Sequence, residues 1–327
     1  MPLKNDINIR QIALEINGGC NFKCAMCPQA DGREKPFLKK LPLDLYKKII
    51  DDGLQYGLEV VSLQGSGEPT LNRDMDRYVA YAKEKNIRCI SVTNGFLLDE
   101  EMSKSLIQAG IDTLRVSAIG YDRETYQKWM GRDAFEQVRE NVRRFRELNE
   151  TLGGHTEISL YHLILDSEKR EEEVALYIKN WIEPTGVEGE VWMMHNWSGV
   201  YADIPYGRSG LEKRSCGRPN APYLYVRAGG LDGHLGAVVA CCFTLGQDSQ
   251  AVLGHLDTQT IAEVVNGPEY ENLRQLHHDN DFDALSYCKD CDQLYDAPES
   301  LVWTNIAGKE YGQSKVLKDL DFRNFAG

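Results

Sequence analysis

The sequence predicts an α/β fold on three observations. Six short strand-like apolar runs are spread over the first two-thirds of the chain, amphipathic helical patterns lie between them, and glycines stand where helices should end. Strands alternating with helices point to a parallel sheet, because parallel neighbours need a crossover connection. Six such units fit a curved, partly closed barrel better than a full eight-unit one. A doubly wound sheet is the competing arrangement, and the pattern alone serves both.

In order, the strand-like runs are IALEIN (12–17), EVVSLQ (59–64), RCISVT (88–93), TLRVSA (113–118), EISLYHLI (157–164) and EVWMMH (190–195). The first helical pattern, LDLYKKIIDDGLQY, places Leu43, Leu45, Ile49 and Ile50 at helical spacing; MDRYVAYAKEK, EEMSKSLIQAG and AFEQVRENVRRFRELNE show comparable spacing. Gly110 and Gly153 sit at expected C-caps. After His195 the character changes. NWSGVYADIPYGRSGLEKRSCGRPNAP is rich in Gly, Pro and Ser and reads as a linker or irregular loop. YLYVRAGG and GAVVACCF flank a Gly-rich turn and read as a β-hairpin. TIAEVVNGPEYENLRQLHH reads as one or two short helices, followed by CKDC (288–291) and a charged tail. The boundary falls near 200, giving regions 1–200 and 201–327, with no internal repeat or low-complexity segment.

At 327 residues the chain can bury one large core, or one core and a smaller appendage. The N-terminal MPLKNDINIRQIALEIN mixes charges into its apolar residues and does not read as a signal peptide. No run approaches the roughly 20 apolar residues that span a bilayer. The expectation is a cytoplasmic protein with no membrane partner, in which clustered thiols stay reduced and serve as metal ligands or catalysts. A formal net charge of −13 argues against a nucleic-acid partner. The one basic run, RRFRE (143–147), reads as a solvated helix face.

The nine cysteines sort into two groups and one isolated residue. Cys89, alone on a strand, reads as a small buried hydrophobe. The first group, CNFKCAMC (20–27), spaces Cys20, Cys24 and Cys27 as C-x3-C-x2-C directly after the first strand. In a barrel that loop opens at the C-terminal face of the sheet, where active sites assemble. Three thiols cannot pair into disulfides without one left over. Thiolates select soft metals and iron–sulfur clusters, and three of them on a four-iron cubane leave one iron open. The alternative is a zinc site that borrows a distant fourth ligand.

The C-x3-C-x2-C spacing resembles that of the radical S-adenosylmethionine enzymes, and supporting motifs follow in the family's order. GSGEP (65–69), after the second strand, resembles the family's Gly-Gly-Glu motif, in which backbone groups and the acid receive the amino group of S-adenosylmethionine. The resemblance thus implies cofactor contacts at Gly65, Ser66, Gly67 and Glu68. TNG (93–95) and VSAIG (116–120) end the third and fourth strands and resemble ribose and methionine contacts, which makes Asn94 and Ser117 cofactor candidates. Either equally reads as a helix-cap or turn residue. Met26 falls where the family commonly flanks the adenine with a bulky residue; a core methionine is the plainer reading.

The second group is Cys216, the pair Cys241 and Cys242, and Cys288 with Cys291. GAVVAC (236–241) resembles the Gly-x4-Cys element of the SPASM and twitch domains that follow many of these barrels. The resemblance therefore implies a partial (β/α)6 TIM-like barrel with a small C-terminal twitch domain, built from a β-hairpin and helices. It also implies two 4Fe–4S clusters, one generating the radical on Cys20, Cys24 and Cys27 and one auxiliary on Cys216, Cys241, Cys288 and Cys291. A structural zinc site with four cysteines is the alternative for the second set. Cys242 is left over, either as a buried small residue, as the true ligand in place of Cys241, or as a hydrogen donor to a substrate radical. If the two cysteines alternate across a strand, Cys242 faces away from Cys241.

In this family a low-potential electron donor such as flavodoxin or ferredoxin reduces the first cluster, S-adenosylmethionine is cleaved, and a 5′-deoxyadenosyl radical abstracts hydrogen. Only 19 residues precede Cys20, so a small-molecule substrate is favoured over a ribosomal peptide. The reaction expected is dehydrogenation of a hydroxyl-bearing sugar, aminosugar or cyclitol, with the auxiliary cluster accepting the electron. The runner-up is a radical epimerase using Cys242, and the reading from another class is a non-catalytic iron–sulfur electron carrier. Tyr161, His162, Glu190 and His195 lie near the ends of late strands and are candidates to bind substrate. His195 is the candidate base.

Overall fold

The protein is described here by a computed structural model that covers residues 7–30, 32–33, 35–200, 212–246, 250–295 and 301–307. The boundary drawn at 200 abuts residues outside this set, and the charged tail lies outside it. Six parallel strands come first: β1 (Gln11–Leu14), β2 (Val60–Leu63), β3 (Arg88–Thr93), β4 (Thr113–Ser117), β5 (Glu157–Ile164) and β6 (Glu188–Met193). Between them run α1 (Leu43–Leu54), α2 (Met75–Glu84), α3 (Glu100–Ala109), α4 (Arg123–Met130), α5 (Phe135–Thr151), α6 (Arg170–Tyr177) and the short α7 (Glu183–Thr185). Gly110 caps α3 with φ 82°, and Gly153, one residue past the α5 C-cap, has φ 66°.

The sheet does not stop at the sixth strand. β7 (Tyr223–Val226) pairs in parallel with the free edge of β1, then β8 (Ala237–Val239) and β9 (Val252–His255) add in antiparallel. β10 (Leu301–Thr304) adds to the opposite edge, antiparallel to β6. The order is β10-β6-β5-β4-β3-β2-β1-β7-β8-β9. The expected hairpin is β7–β8, and α8 (Ile261–Val265) and α9 (Pro268–His278) are the two expected helices. Strands β9 and β10 were not foreseen. No helix of the described residues is long and apolar enough to cross a membrane.

Side-chain alternation decides between barrel and doubly wound sheet. Leu114 and Val116 of β4 pack in the core with Met102, Leu106 and Val138 from the helices. The alternate residues Thr113, Arg115 and Ser117 face the other way, in register with Ser159, Tyr161 and Glu190 of β5 and β6. Gln11, Ser62, Gln64 and Tyr223 continue this polar face on the neighbouring strands. A sheet with helices on both faces would be apolar on both. The helices therefore form one outer layer, and the polar face lines the concave interior of an open, partial barrel. Cys89 is fully buried on the helix side, as expected. RRFRE is the solvated face that was expected, with Arg143 bonded to Glu140 and Glu147 along α5.

Two buried polar devices fix the loops at the mouth of this barrel. At the end of β4, Gly120 has φ 121°, and a Cβ there would lie 2.3 Å from the Tyr126 nitrogen. Its N–H donates to His162 Nδ1 at 3.1 Å, and its carbonyl accepts from Trp181 Nε1 at 2.8 Å. Trp181 sits in a π-helical stretch between α6 and α7, where the helix widens to aim it inward. His162 Nε2 meets Glu173 at 2.8 Å, and its ring stacks on Tyr177 at 4.6 Å. Both ring nitrogens are thus engaged in the core, so His162 is a scaffold for the Gly120 turn and has no free nitrogen for a substrate.

The second device joins the two cysteine-bearing regions. Glu15, just past β1, accepts from the Ser66 N–H and hydroxyl and, through its other oxygen, from the Ala228 N–H. Arg227, just past β7, lies 3.7 Å from the Glu15 carboxylate. Its guanidinium donates to the carbonyls of Cys242 and Thr244. The two side chains are 1% and 4% exposed. One buried pair therefore ties the GSGEP turn to the loop after β8.

Two expectations follow. Burial lowers the His162 pKa below its ordinary 6.5 against the upward pull of Glu173. The unfolded chain therefore binds more protons below about pH 6.5, and stability falls on acidification until the folded imidazole itself titrates. Urea unfolding between about pH 7 and 5 should show this slope, reduced in His162→Gln. Removing one partner of Glu15–Arg227 leaves a buried charge uncompensated, so Arg227→Met should cost about 3–5 kcal/mol. The double variant Glu15→Gln/Arg227→Met should cost less than the sum of the single changes.

Candidate active site

The loop after β1 holds Cys20, Cys24 and Cys27 between two supports. Below it, Gly19 accepts from the Glu68 N–H at 2.8 Å, and Asn17 Nδ2 donates to the carbonyls of Gly19 and Glu68. Above it, the Ala25 N–H donates to Trp129 at the end of α4, and Gly131 packs against the Lys23 carbonyl, where a Cβ would come within 2.1 Å. Arg132 donates to the Asn21 carbonyl and lies over the rings of Phe22 and Phe96. The three thiols act on one another electrostatically. Crowding by protein pushes Cys20 up to about 11, reinforced by Glu68 and Cys27, although it reaches solvent at the mouth. Burial and the two neighbouring thiols raise Cys24 further. Such thiols give up their protons to a bound metal.

The GSGEP turn is pressed against this loop. A Cβ on Gly67 would lie 2.3 Å from the Asn17 carbonyl and one on Gly65 2.2 Å from Glu15, so only glycine fits at either position. The Glu68 carboxylate accepts from the Thr70 N–H and hydroxyl, the Thr93 hydroxyl and the Asn94 N–H. Burial raises its pKa despite these donors. With four protein donors the acid acts inward, locking the ends of β2 and β3 together. The carbonyls of Ser66 and Gly67 receive no hydrogen bond among the described residues. These carbonyls and the Glu68 carboxylate lie in one turn beside the cysteine loop.

Asn94 accepts from the Phe96 N–H in a turn and donates to Asn21 at 2.8 Å, which links TNG to the cysteine loop. Ser117 ends β4 on the concave face, partly exposed. Met26 is buried in the main core. The predicted cofactor residues therefore surround one mouth, on the loops after β1, β2, β3 and β4. Glu15, Asn17 and Thr93 complete it and were missed; a lone Glu within the apolar IALEIN was the available signal.

Deeper on the concave face, Arg115 Nη1 donates to Glu190 at 3.1 Å, Glu190 accepts from Trp192 Nε1, and the guanidinium lies 4.6 Å from the Tyr161 ring. Glu190 is buried, whereas Arg115 keeps 23% of its side-chain surface open within the barrel. Arg115 Nε has no hydrogen-bond partner among the described residues. Gln11 donates to the Tyr223 hydroxyl across the same space. His195 lies elsewhere, past β6, packed between Trp197 and Phe243. Its Nδ1 accepts from the Trp197 N–H at 3.3 Å, which puts the ring proton on Nε2.

The C-terminal cysteines meet at a second place. Cys216, Cys241, Cys288 and Cys291 line one cavity together with Arg218 and His277. Cys241 and Cys242 lie in the turn after β8 rather than on a strand, so alternation does not orient them. Both pack against the cluster that includes Tyr223 and Tyr225, and Cys241 also lines the cavity. Burial, then Cys242, pushes Cys241 up to about 12, and burial pushes Cys291 up to about 11. Burial alone would lower Arg218; Cys242, Cys216, Tyr225 and Cys241 outweigh it and hold the guanidinium charged. Burial lowers His277 to about 4, so its imidazole is neutral. Among the described residues no three His, Cys, Asp or Glu side chains converge as ligands of one ion would. The fit of each set to an iron–sulfur cluster rests on its all-thiol donors and, for the second, on the cavity they share.

Comparison with known proteins agrees with this layout. Residues 14–176 match the radical SAM superfamily, and residues 233–292 match an iron–sulfur cluster-binding domain of the SPASM type. Cys216 precedes the second match, although it lines the same cavity. The chain is 36% identical over 129 residues to Fe-coproporphyrin III synthase of Methanosarcina barkeri, covering 39% of this chain and 32% of that one. It is 31% identical over 143 residues to a probable GTP 3′,8-cyclase of Methanococcus maripaludis, covering 44% and 48%. The matched segments span about a third to a half of these relatives. In fold, the chain is similar to BtrN in complex with AdoMet and 2-DOIA, with a TM-score of 0.57, 20% identity and coverage of 88% and 94%. It is also similar to Streptococcus suis SuiB bound to precursor peptide SuiA, with a TM-score of 0.61, 16% identity and coverage of 82% and 67%. The chain belongs to the radical S-adenosylmethionine enzymes, with a C-terminal iron–sulfur domain, and its cofactors are S-adenosylmethionine and 4Fe–4S clusters.

Proposed function

We propose that the protein dehydrogenates a hydroxyl-bearing small molecule, a sugar, aminosugar or cyclitol, and passes an electron to an auxiliary cluster in the four-thiol cavity. The observation that carries this reading is the cavity itself, in which Cys216, Cys241, Cys288 and Cys291 surround a space beside the buried, charged Arg218. Four protein thiolates would leave no iron for substrate, which suits electron transfer. A fixed positive charge nearby would stabilise an added electron.

Cys20, Cys24 and Cys27 would hold the first cluster, and the carbonyls of the GSGEP turn, with Met26, Asn94 and Ser117, would hold S-adenosylmethionine. When bound, this pair supplies one-electron cleavage of a carbon–sulfur bond and hydrogen-atom abstraction. Cys20 reaches solvent, which favours access by a low-potential donor such as flavodoxin or ferredoxin. The fold is shared with SuiB, whose structure holds a peptide, so the fold alone does not choose the substrate. A small polar substrate is favoured by the Arg115–Glu190 pair, with a donor and a carboxylate side by side and Tyr161 and Trp192 as walls. BtrN, described with AdoMet and 2-DOIA, supports a second small molecule in such a barrel.

In this reading Arg115 orients a substrate hydroxyl, and Glu190 replaces His195 as the group that takes its proton. The carbinol carbon loses a hydrogen atom, the hydroxyl loses a proton, and one electron leaves toward the cavity, where Arg218 favours it. The carbonyl product is two hydrogens lighter. The epimerase reading retains one specific support: Cys242 lies beside Tyr223 and Tyr225 and is not among the residues that line the cavity.

Product mass in deuterated water separates the two. Dehydrogenation gives a product lighter by two hydrogens, and Cys242→Ala should keep turnover within about threefold, an effect of less than 1 kcal/mol. A product of unchanged formula carrying one solvent deuterium, lost in Cys242→Ala, would overturn dehydrogenation in favour of epimerisation. Anaerobic incubation with reductant should also release 5′-deoxyadenosine; its absence with a panel of aminosugars and cyclitols would favour an electron carrier.

A further inference from the structure

His277 has no part in the reaction as outlined above, yet it is buried at the wall of the four-thiol cavity with both ring nitrogens committed. Its Nε2 lies 3.5 Å from Cys288 Sγ, and its Nδ1 lies 3.1 Å from Ser215 Oγ. The ring is held edge-on to Phe282 at 5.2 Å.

The sulfur sets the direction of these bonds: Cys288 as a thiolate can only accept, so the neutral ring carries its proton on Nε2, facing sulfur. Nδ1 is then the acceptor, and the Ser215 hydroxyl donates to it while accepting from the Gly217 N–H at 3.2 Å. Gly217, Ser215, His277 and Cys288 thus form one chain of donors running from the Cys216 turn to the sulfur of a second thiol of the set.

We propose that His277 is a positioning residue that donates an N–H···S hydrogen bond to Cys288, and that Ser215 fixes the tautomer so that the bond favours the reduced state of the auxiliary cluster. This rests on the assignment of an auxiliary cluster to the cavity. A hydrogen bond to a ligand sulfur draws electron density from the cluster and raises its reduction potential. Arg218 acts in the same direction through its charge. The wall of the cavity then supplies two independent devices that make the site an electron acceptor.

The test is the midpoint potential of the auxiliary cluster, measured by EPR-monitored titration in the full chain with Cys20, Cys24 and Cys27 changed to Ala. If that protein binds no iron, the assignment of the cluster fails before His277 is examined. With the cluster present, His277→Phe should lower the potential by about 59 mV, a tenfold change in a one-electron equilibrium. His277→Gln, which keeps an N–H donor, should restore part of the shift, and Ser215→Ala should give a smaller decrease. An unchanged potential in His277→Phe with iron retained would overturn the proposal. So would loss of iron in both His277 variants, which would make His277 a ligand. Should the variants not fold, pulsed EPR of the reduced cluster in the 15N-histidine-labelled Cys20, Cys24 and Cys27 to Ala protein, with His277 intact, decides. A weakly coupled, exchangeable histidine N–H is expected; no histidine coupling, or the strong coupling of a bound nitrogen, would contradict it.

Discussion

The Glu15–Arg227 pair is the constraint on which the geometry of both cysteine regions depends. Burying two charges is costly, and attraction between them offsets that cost only where their remaining hydrogen-bonding groups are satisfied. Here they are: Glu15 accepts from Ser66 and Ala228, and Arg227 donates to the carbonyls of Cys242 and Thr244. A pair of this kind adds little net stability compared with an apolar contact of the same volume. What it fixes is register. The parallel pairing of β7 with β1 sets Glu15 and Arg227 side by side, and through them the GSGEP turn and the turn bearing Cys241 hold one relative position.

Around that pair the barrel divides its labour by side-chain alternation. The helix-facing residues carry most of the hydrophobic core, and on β4, β5 and β6 the concave face is largely polar, with Arg115, Ser117, Ser159, Tyr161 and Glu190, because no helix covers it. The loops at the C-terminal ends of β1 to β4 are then tied to each other rather than left free. Glu68 links β2 to β3, Asn94 reaches the cysteine loop, and α4 holds that loop from above. A site that must hold a reactive group in one orientation gains from such cross-bracing, since its groups need little rearrangement when loaded.

The parts of this layout that were legible in the sequence are those set by local chemistry. Apolar runs bounded by polar turns gave β3 and β5 at their observed limits, because burial on a parallel sheet demands such runs. The thiol spacings were readable because ligation needs those residues at short separations. Long-range pairing was not: nothing local in YLYVRAGG says that it lies beside β1 rather than only against its hairpin partner. VLGH and LVWT are four residues each, too short for a period to emerge. Glu15 and Arg227 passed unnoticed because one charge in an apolar run looks like ordinary strand alternation. Cys241 and Cys242 were read as strand residues because the apolar run continues past β8, whereas the chain turns there. His162 looked like a substrate-binding residue by its position, and only the structure shows both nitrogens taken by Gly120 and Glu173.

The claim that organises all of this is that two separate thiol sets hold two separate clusters. Its most direct test is iron and sulfide content after anaerobic reconstitution of two complementary variants. One lacks Cys20, Cys24 and Cys27, and the other lacks Cys216, Cys241, Cys288 and Cys291. About four irons per chain should remain in each, against about eight in the unaltered protein, as expected for two four-iron clusters. If the first variant retains zinc and no iron, the C-terminal cavity is a structural metal site and the account of electron acceptance fails.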